Sequence, residues 1–482
     1  MTILREGETC WRIARADRMA VIVDADDYFR IAREALLKAE TRIMLVGWDF
    51  DARIRLTDGQ RLPGEPETVG EFLYWLVERT PALELYLLRW DVGAIKTLGR
   101  GSTMFTVLKW MQHPRIHTKL DGAHPTGGSH HQKIVSIDDS FAFCGGIDMT
   151  GDRWDTRDHC DDDPGRRRPG GQAYGPWHDA TSALSGEAAA ALAELCRDRW
   201  MRATGTMLPA IAERGDIWPD TLDPQFRDVD VGIARTLPEI EGFTAVHEIE
   251  ALFVAQIAAA RGTVYLESQY FASRKVAEAI ARRLDEADGP EVVIVNPHTA
   301  QGWLEPVAMD SARARLMEAL RRRDTHGRLR MYHPVTAAGE PIYVHAKITI
   351  VDDRHLRIGS ANLNNRSMRL DSECDIIVDA GQETGGSFGP AITALRDDLL
   401  AEHLGVTPDV VTQAVAATGS VIAAIEKLRG NGRTLVPYEV PDLSAVEAWL
   451  ADNEVLDPEG PDEMFEALTA RSLFRRMRKP KS

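Results

Sequence analysis

Apolar and polar positions along this chain fall into two alternating patterns, helical and strand-like, and the order of those patterns occurs twice. DYFRIAREALLKAE (residues 27–40) has helical spacing and runs into the strand-like TRIMLVGWDF (41–50). AVHEIEALFVAQIAAA (245–260) places Ile249, Leu252, Phe253, Gln256 and Ile257 at helical spacing, and the strand-like GTVYLESQYF (262–271) follows. Each half then continues through another helix to an apolar strand, LELYLLRW (83–90) or EVVIVNP (291–297). Next come HHQKIVSIDD (130–139) and VHAKITIVDD (344–353), and after them FAFCGGIDMTGDR (141–153) and LRIGSANLNNRS (356–367), each an apolar strand ending in a polar loop that contains Gly. The pattern predicts a duplicated α/β unit, its two halves packed about a pseudo-twofold axis.

The expected division is a first lobe over residues 1–206, a connector rich in Pro and Asp over 207–230, a second lobe over 231–406 and an appendage over 407–482. The appendage has no counterpart in the first half. TPDVVTQAVAATGSVIAAIEKLRG reads as helical with a Gly stop, and DLSAVEAWLADNE as a further helix capped by Asp442 or Ser444. It ends in a basic tail, ARSLFRRMRKPKS, where Leu473, Phe474 and Met477 interleave with Arg475, Arg476, Arg478 and Lys479. That mixture suits an anionic membrane surface, although a solvated tail has the same composition.

The two central segments share His, one residue, Lys, four residues, Asp: His131, Lys133 and Asp138, then His345, Lys347 and Asp352. On a strand, His and Lys of each triplet share a face, whereas the Asp has opposite parity and falls at the strand end, where it is expected to fix the turn. The flanking Ile134, Val135, Ile137, Ile348, Ile350 and Val351 predict strands covered on both sides. A buried imidazole and ammonium need a reason, because an unpaired buried charge is costly. One such pair is accounted for by a satisfied core histidine and a snorkelling lysine, but two at corresponding places point to a shared site.

Two imidazoles and two ammonium groups suit phosphoryl chemistry. The lysines can bind non-bridging oxygens and offset developing charge without a metal. One neutral imidazole can attack phosphorus while the other, protonated, serves the leaving oxygen; an ordinary pKa of about 6.5 allows both forms near neutrality. Orienting acceptors are expected in Asp179 of GPWHDA and Glu373 of LDSECD. Gly359, Ser360, Asn362 and Asn364 of GSANLN, with Gly145 and Gly146, are candidate donors near phosphate.

These blocks, HQKIVSID, GGIDMTGDRWDT, PWHD, YLESQYF, HAKITIVD, GSANLNNRS and DSE, resemble the signature blocks of phospholipase D over roughly residues 20–405. GGIDMTGDRWDT and PWHD are more similar to the eukaryotic-type enzymes than to the small nucleases of the superfamily. The resemblance implies a two-step cleavage in which His131 forms a phosphohistidine and His345 acts first as acid, then as base. It further implies that Lys133, Lys347 and Asn362 hold the phosphate, with Asn364 nearby, that carboxylates pair with the histidines, and that a primary alcohol can replace water. No cofactor or metal is expected.

Composition narrows the rest. A net charge of -17 disfavours a sequence-independent nucleic-acid binder. Apolar runs are strand-sized, no signal-peptide pattern opens the chain, and few residues precede the first repeat, so the expectation is a cytoplasmic monomer that meets a phospholipid membrane peripherally, without a transmembrane segment or an N-terminal lipid-binding module. Cys10, Cys144, Cys160, Cys196 and Cys374 form no CxxC pair and read as reduced thiols. GGSFG (385–389) matches G-x-S-x-G, but Pro390 opening a helix argues against a nucleophilic Ser387. DHCDDDPG (158–165) reads as an acidic surface loop rather than a cation site, and RARLMEALRRR (313–323) as a solvated basic helix face. The leading expectation is a phospholipase D; a phosphatidyltransferase of the cardiolipin synthase kind and an idle lipid- or nucleic-acid-binding protein are the alternatives.

Overall fold

The computed structural model describes residues 2–57, 59–91, 102–212, 215–300, 305–381 and 388–440. The helix expected over DLSAVEAWLADNE, the basic tail and Ser387 lie outside the described residues.

Period and burial agree where the apolar stripe is clear. Helix Ala25–Leu37 buries Tyr28, Phe29, Ile31, Ala32, Ala35 and Leu36, with Asp26 and Asp27 at its positive end. Its counterpart Glu248–Ala259 buries Ile249, Leu252, Phe253, Gln256 and Ile257, the five positions read from the sequence. Helix Arg274–Leu284 is capped by Ser273, whose side chain accepts from the Val276 N–H. The following strands, Arg42–Gly47 and Thr263–Glu267, are almost wholly buried and pair in parallel with Glu84–Trp90 and Glu291–Val295.

Among the described residues these strands form one sixteen-stranded mixed sheet. From one edge its order is Thr434–Pro437, Leu329–Val335, Glu291–Val295, Thr263–Glu267, Ile348–Val351, His355–Gly359, Glu373–Asp379 and Phe226–Leu237. It continues through Arg12–Val23, Ala180–Gly186, Phe141–Gly145, Ile134–Ile137, Arg42–Gly47, Glu84–Trp90 and Ile116–Asp121, while Val246–His247 pairs off the path. The order mirrors itself about the antiparallel pair Arg12–Val23 and Phe226–Leu237, which sets Ala14 opposite Val231. One hydrophobic core crosses this seam, with Met19, Val21 and Leu184 from one half and Val231, Ile376 and Leu356 from the other. Each half has a further core on its other face.

The mirror brings the two functional ends together. A parallel two-stranded bridge sets Tyr343 against Trp177 and Val344 against His178. The described part of the appendage, residues 407–440, holds helices Pro408–Thr418 and Val421–Leu428 and the edge strand Thr434–Pro437 on Leu329–Val335. No helix among the described residues is long and apolar enough to cross a membrane.

Two residues depart from the expected surface loop and solvated helix face, which otherwise hold at Asp158, Asp162, Arg315 and Arg321. His159, inside the acidic run, is buried at 1% exposure although Asp158, Cys160 and Asp162 face solvent. Arg313, expected on a solvated helix face, is buried and donates to the carbonyls of Pro297 and His298.

Candidate active site

The triplet histidines and lysines stand just before their strands, not on them: the strands are Ile134–Ile137 and Ile348–Val351. In this extended lead-in, His131 N–H donates to the Ser372 carbonyl at 2.9 Å and His345 N–H to the His178 carbonyl at 2.7 Å. Ser372 and His178 each precede a carboxylate of the opposite half. The backbone therefore lays each histidine beside the other half's acid.

The side chains cross accordingly. His131 Nδ1 lies 3.0 Å from both Glu373 oxygens, and His345 Nδ1 lies 2.6 Å from Asp179 Oδ2. Lys133 Nζ donates to the His131 carbonyl at 2.9 Å and faces Asp148 Oδ2 at 3.3 Å. Lys347 Nζ donates to the His345 carbonyl. Each ammonium thus straps down its own histidine's backbone.

The two halves differ in charge. Burial pushes Glu373 up to about 8 against the pull of Lys133 and the Ser360 hydroxyl. Burial also raises Asp179, but His345, Lys347 and the Ala180 N–H outweigh it and hold this acid at about 2. Both catalytic candidates are pushed well below the ordinary imidazole value by burial, His131 with help from Lys133 and Lys347, and His345 with help from Lys347. Burial lowers Lys347 to about 7, with Lys133 and Arg153 adding to the effect and Asp179 and Glu373 opposing it.

Asp138 accepts from the N–H groups of Glu40, Thr41 and Arg42 at 2.7, 2.8 and 2.6 Å, and Asp352 from those of Arg261, Gly262 and Thr263 at 2.9, 2.8 and 2.7 Å. Each stitches its turn to the start of the neighbouring strand. Three of the expected phosphate donors are otherwise engaged: Gly145 N–H donates to the Lys133 carbonyl, Gly146 N–H to that of Ala180 and Gly359 N–H to that of Lys347. Ser360 Oγ donates to Glu373 at 2.5 Å, and Asn364 Oδ1 accepts from the Ser367 N–H at 2.9 Å. The buried side-chain oxygen of Asn362 has no hydrogen-bond partner; it is an acceptor, so the group this residue could offer to phosphate is its amide nitrogen. Gly146 and Ser360 occupy equivalent places after their lysines, and a Cβ at Gly146 would stand 2.2 Å from Asp179 Oδ1. The shorter acid accompanies the glycine, and the longer one the serine.

Sequence reasoning missed the walls. Trp177 stacks on Tyr343 with ring centroids 4.7 Å apart and lies 5.2 Å from His345, while Trp48 stacks on Trp90 and meets His131 edge-on at 6.4 Å. It also missed Arg153, whose guanidinium covers Trp177 at 4.4 Å. Its place in GGIDMTGDRWDT, a few residues past the strand end, was the available signal.

A family model described as "Cardiolipin synthase, PLD-like domain" matches residues 253–385. The chain is 25% identical over 484 residues to phospholipase D A of Dictyostelium discoideum, covering 83% of this chain and 36% of that protein. It is also 25% identical over 514 residues to phospholipase D alpha 1 of Carica papaya, covering 78% of this chain and 63% of the relative. The chain therefore spans less than two thirds of the length of these relatives. Among solved structures, a phosphatidylserine synthase from Haemophilus influenzae Rd KW20 shares the fold, with a TM-score of 0.54 at 14% identity over 86% of this chain and 95% of that one. Similarity to phospholipases D along most of the chain, with a phospholipase D-like family model over its second half, supports placing this protein in the phospholipase D superfamily.

Proposed function

We propose that the chain is a phosphodiesterase of the phospholipase D type, cleaving the distal phosphodiester bond of glycerophospholipids to phosphatidic acid and a head-group alcohol. The observation that carries this is the crossed pairing of His131 with Glu373 and of His345 with Asp179, with both lysines beside the imidazoles. His131 Nε2 attacks phosphorus while Glu373 accepts its Nδ1–H; the bond to the head-group oxygen breaks, and His345 supplies that oxygen's proton. His345 then takes a proton from water, whose oxygen attacks the phosphohistidine and releases His131 and phosphatidic acid. Lys133, Lys347 and the amide of Asn362 offset charge on the non-bridging oxygens, with Arg153 a further cation at the rim. The substrate lies in a bilayer, so this role requires the protein to dock on the membrane from one side.

A second reading has a lipid alcohol replace water as acceptor, which would make the protein a phosphatidyltransferase. The description of the matching family model favours it. Phosphatidylcholine vesicles incubated with the protein in water and in dilute ethanol separate the two. Choline release with phosphatidylethanol formation supports the hydrolase, turnover only with an added glycerolipid alcohol supports the transferase, and binding without turnover sinks both. Within either reading, His131→Ala is expected to abolish a radiolabelled phospho-enzyme and to lower turnover at least about 1,000-fold. A label that survives His131→Ala and vanishes in His345→Ala reverses the two roles.

A further inference from the structure

A second buried cluster lies behind the His345–Asp179 pair, and the proposed reaction makes no use of it. Asp24 stands at the start of helix Ala25–Leu37, His159 in the acidic run, His178 on the bridge strand and Glu402 in helix Gly389–Leu404 of the other half. Their side chains are 0–2% exposed, and one nitrogen or oxygen of each lies within 4.8 Å of the others. His159 Nε2 is 3.4 Å from Asp24 Oδ2 and 3.1 Å from Glu402 Oε1, and His178 Nδ1 is 2.7 Å from Glu402 Oε1. Four donors at Zn–N and Zn–O bond lengths form a tetrahedron with edges of about 3.3 Å.

Two observations separate this cluster from an ordinary hydrogen-bonded network. Asp24 Oδ2 and His178 Nδ1, both buried, have no hydrogen bond of acceptable geometry. In addition, the other polar atom of every member is held from outside. His159 Nδ1 meets Asp155 Oδ2 at 2.9 Å, and Arg166 holds the second oxygen of Asp155 at 3.1 Å. His178 Nε2 meets Glu267 Oε2 at 2.9 Å, Arg157 Nε donates to Glu402 Oε2 at 2.5 Å, and Asp179 N–H donates to Asp24 Oδ1 at 3.0 Å. Carboxylates behind the imidazoles and donors behind the carboxylates are how metal ligands are oriented. The four members themselves carry two carboxylates, Asp24 and Glu402, and two imidazoles, so with neutral imidazoles one divalent cation would neutralise them.

We propose that Asp24, His159, His178 and Glu402 bind one divalent transition ion of the Zn²⁺ class as a structural pin between the halves. Two imidazole nitrogens with two carboxylate oxygens suit such an ion better than Ca²⁺ or Mg²⁺, which prefer all-oxygen shells. The pin reaches the proposed active site through Asp24, which holds the Asp179 backbone, and through the His178 carbonyl, which accepts from His345 N–H. It does not depend on which phosphodiester the site cleaves.

The rival occupant is a pair of protons, and metal content decides between them. The full-length chain, produced in Zn²⁺-supplemented medium and dialysed, should retain about one equivalent of zinc by elemental analysis, and the chain produced with Co²⁺ should show the intense visible bands of a tetrahedral site. His159→Gln and Glu402→Gln should each lower retained zinc at least about tenfold, while Asp158→Asn with Asp162→Asn, on the exposed part of the loop, should leave it unchanged. Fewer than about 0.1 equivalents in the unaltered chain, or a full equivalent persisting in both ligand variants, overturns the proposal. If the variants do not fold, the cobalt spectrum of the unaltered chain still decides, since absence of tetrahedral bands overturns the site.

Discussion

Glu373 sets the pH behaviour expected of this site. It faces His131, Ser360, Ser367, Lys133, Lys347 and Asp371, and burial holds it protonated up to about 8. In the proposed reaction, His131 Nε2 is free to attack only when Nδ1 carries the proton and donates it to an ionised Glu373. kcat/KM should therefore rise with pH as Glu373 ionises toward about 8, opposed over the same range by loss of the proton that His345 must supply, and Glu373→Gln should abolish the rising limb while lowering the maximum by roughly 10²–10⁴-fold. The same shift has a sign for stability. Between the ordinary 4.5 and about 8 the folded chain holds a proton that the unfolded chain has lost, so stability falls as pH rises through that window. Thermal melts should show Glu373→Gln more stable than the unaltered chain, by on the order of 1–2 kcal/mol at the alkaline end and by less near pH 5. A difference that does not change with pH would place the proton elsewhere.

At the scale of elements, the paired aspartates and glycines hold the lead-ins in register. Asp138→Ala removes the acceptor of three backbone N–H groups, one of them buried, and should cost about 2–4 kcal/mol in urea unfolding. Asp352→Ala breaks the equivalent set in a more exposed place and should cost about half as much. Gly146→Ala drives a methyl group against the Asp179 carboxylate, so it should lower kcat roughly 10–100-fold. Much of this layer was legible in the chain itself. The stripes at 27–40 and 245–260 matched helices Ala25–Leu37 and Glu248–Ala259, because periodicity reports which face is buried. Periodicity could not show that strand pairing begins at Ile134 and Ile348, one residue past each lysine. Nor could it match each histidine to its acid, since His131 and Glu373 lie 242 residues apart and His345 and Asp179 lie 166 apart, and the partner is chosen by the seam. His159 escaped notice because its neighbours in the run are exposed and only its own side chain turns inward.

Across the whole molecule, a sheet that mirrors itself about Arg12–Val23 and Phe226–Leu237 makes the site a property of neither half. Double-mutant cycles measure this directly. His131→Ala and Glu373→Gln should be strongly non-additive in kcat although they lie in different halves, whereas Ser182→Ala with Ser367→Ala, which share no contact, should add. The crossing also has a historical consequence. Two identical copies of one repeat, joined as a symmetric dimer, would give both histidines the same acid, the same proton affinity and the same tautomer. A fused chain is released from that equality, because each copy can drift alone: one now pairs glycine with aspartate, the other serine with glutamate. Division of labour between two like imidazoles is thus something that duplication within a single polypeptide makes available and dimerisation does not.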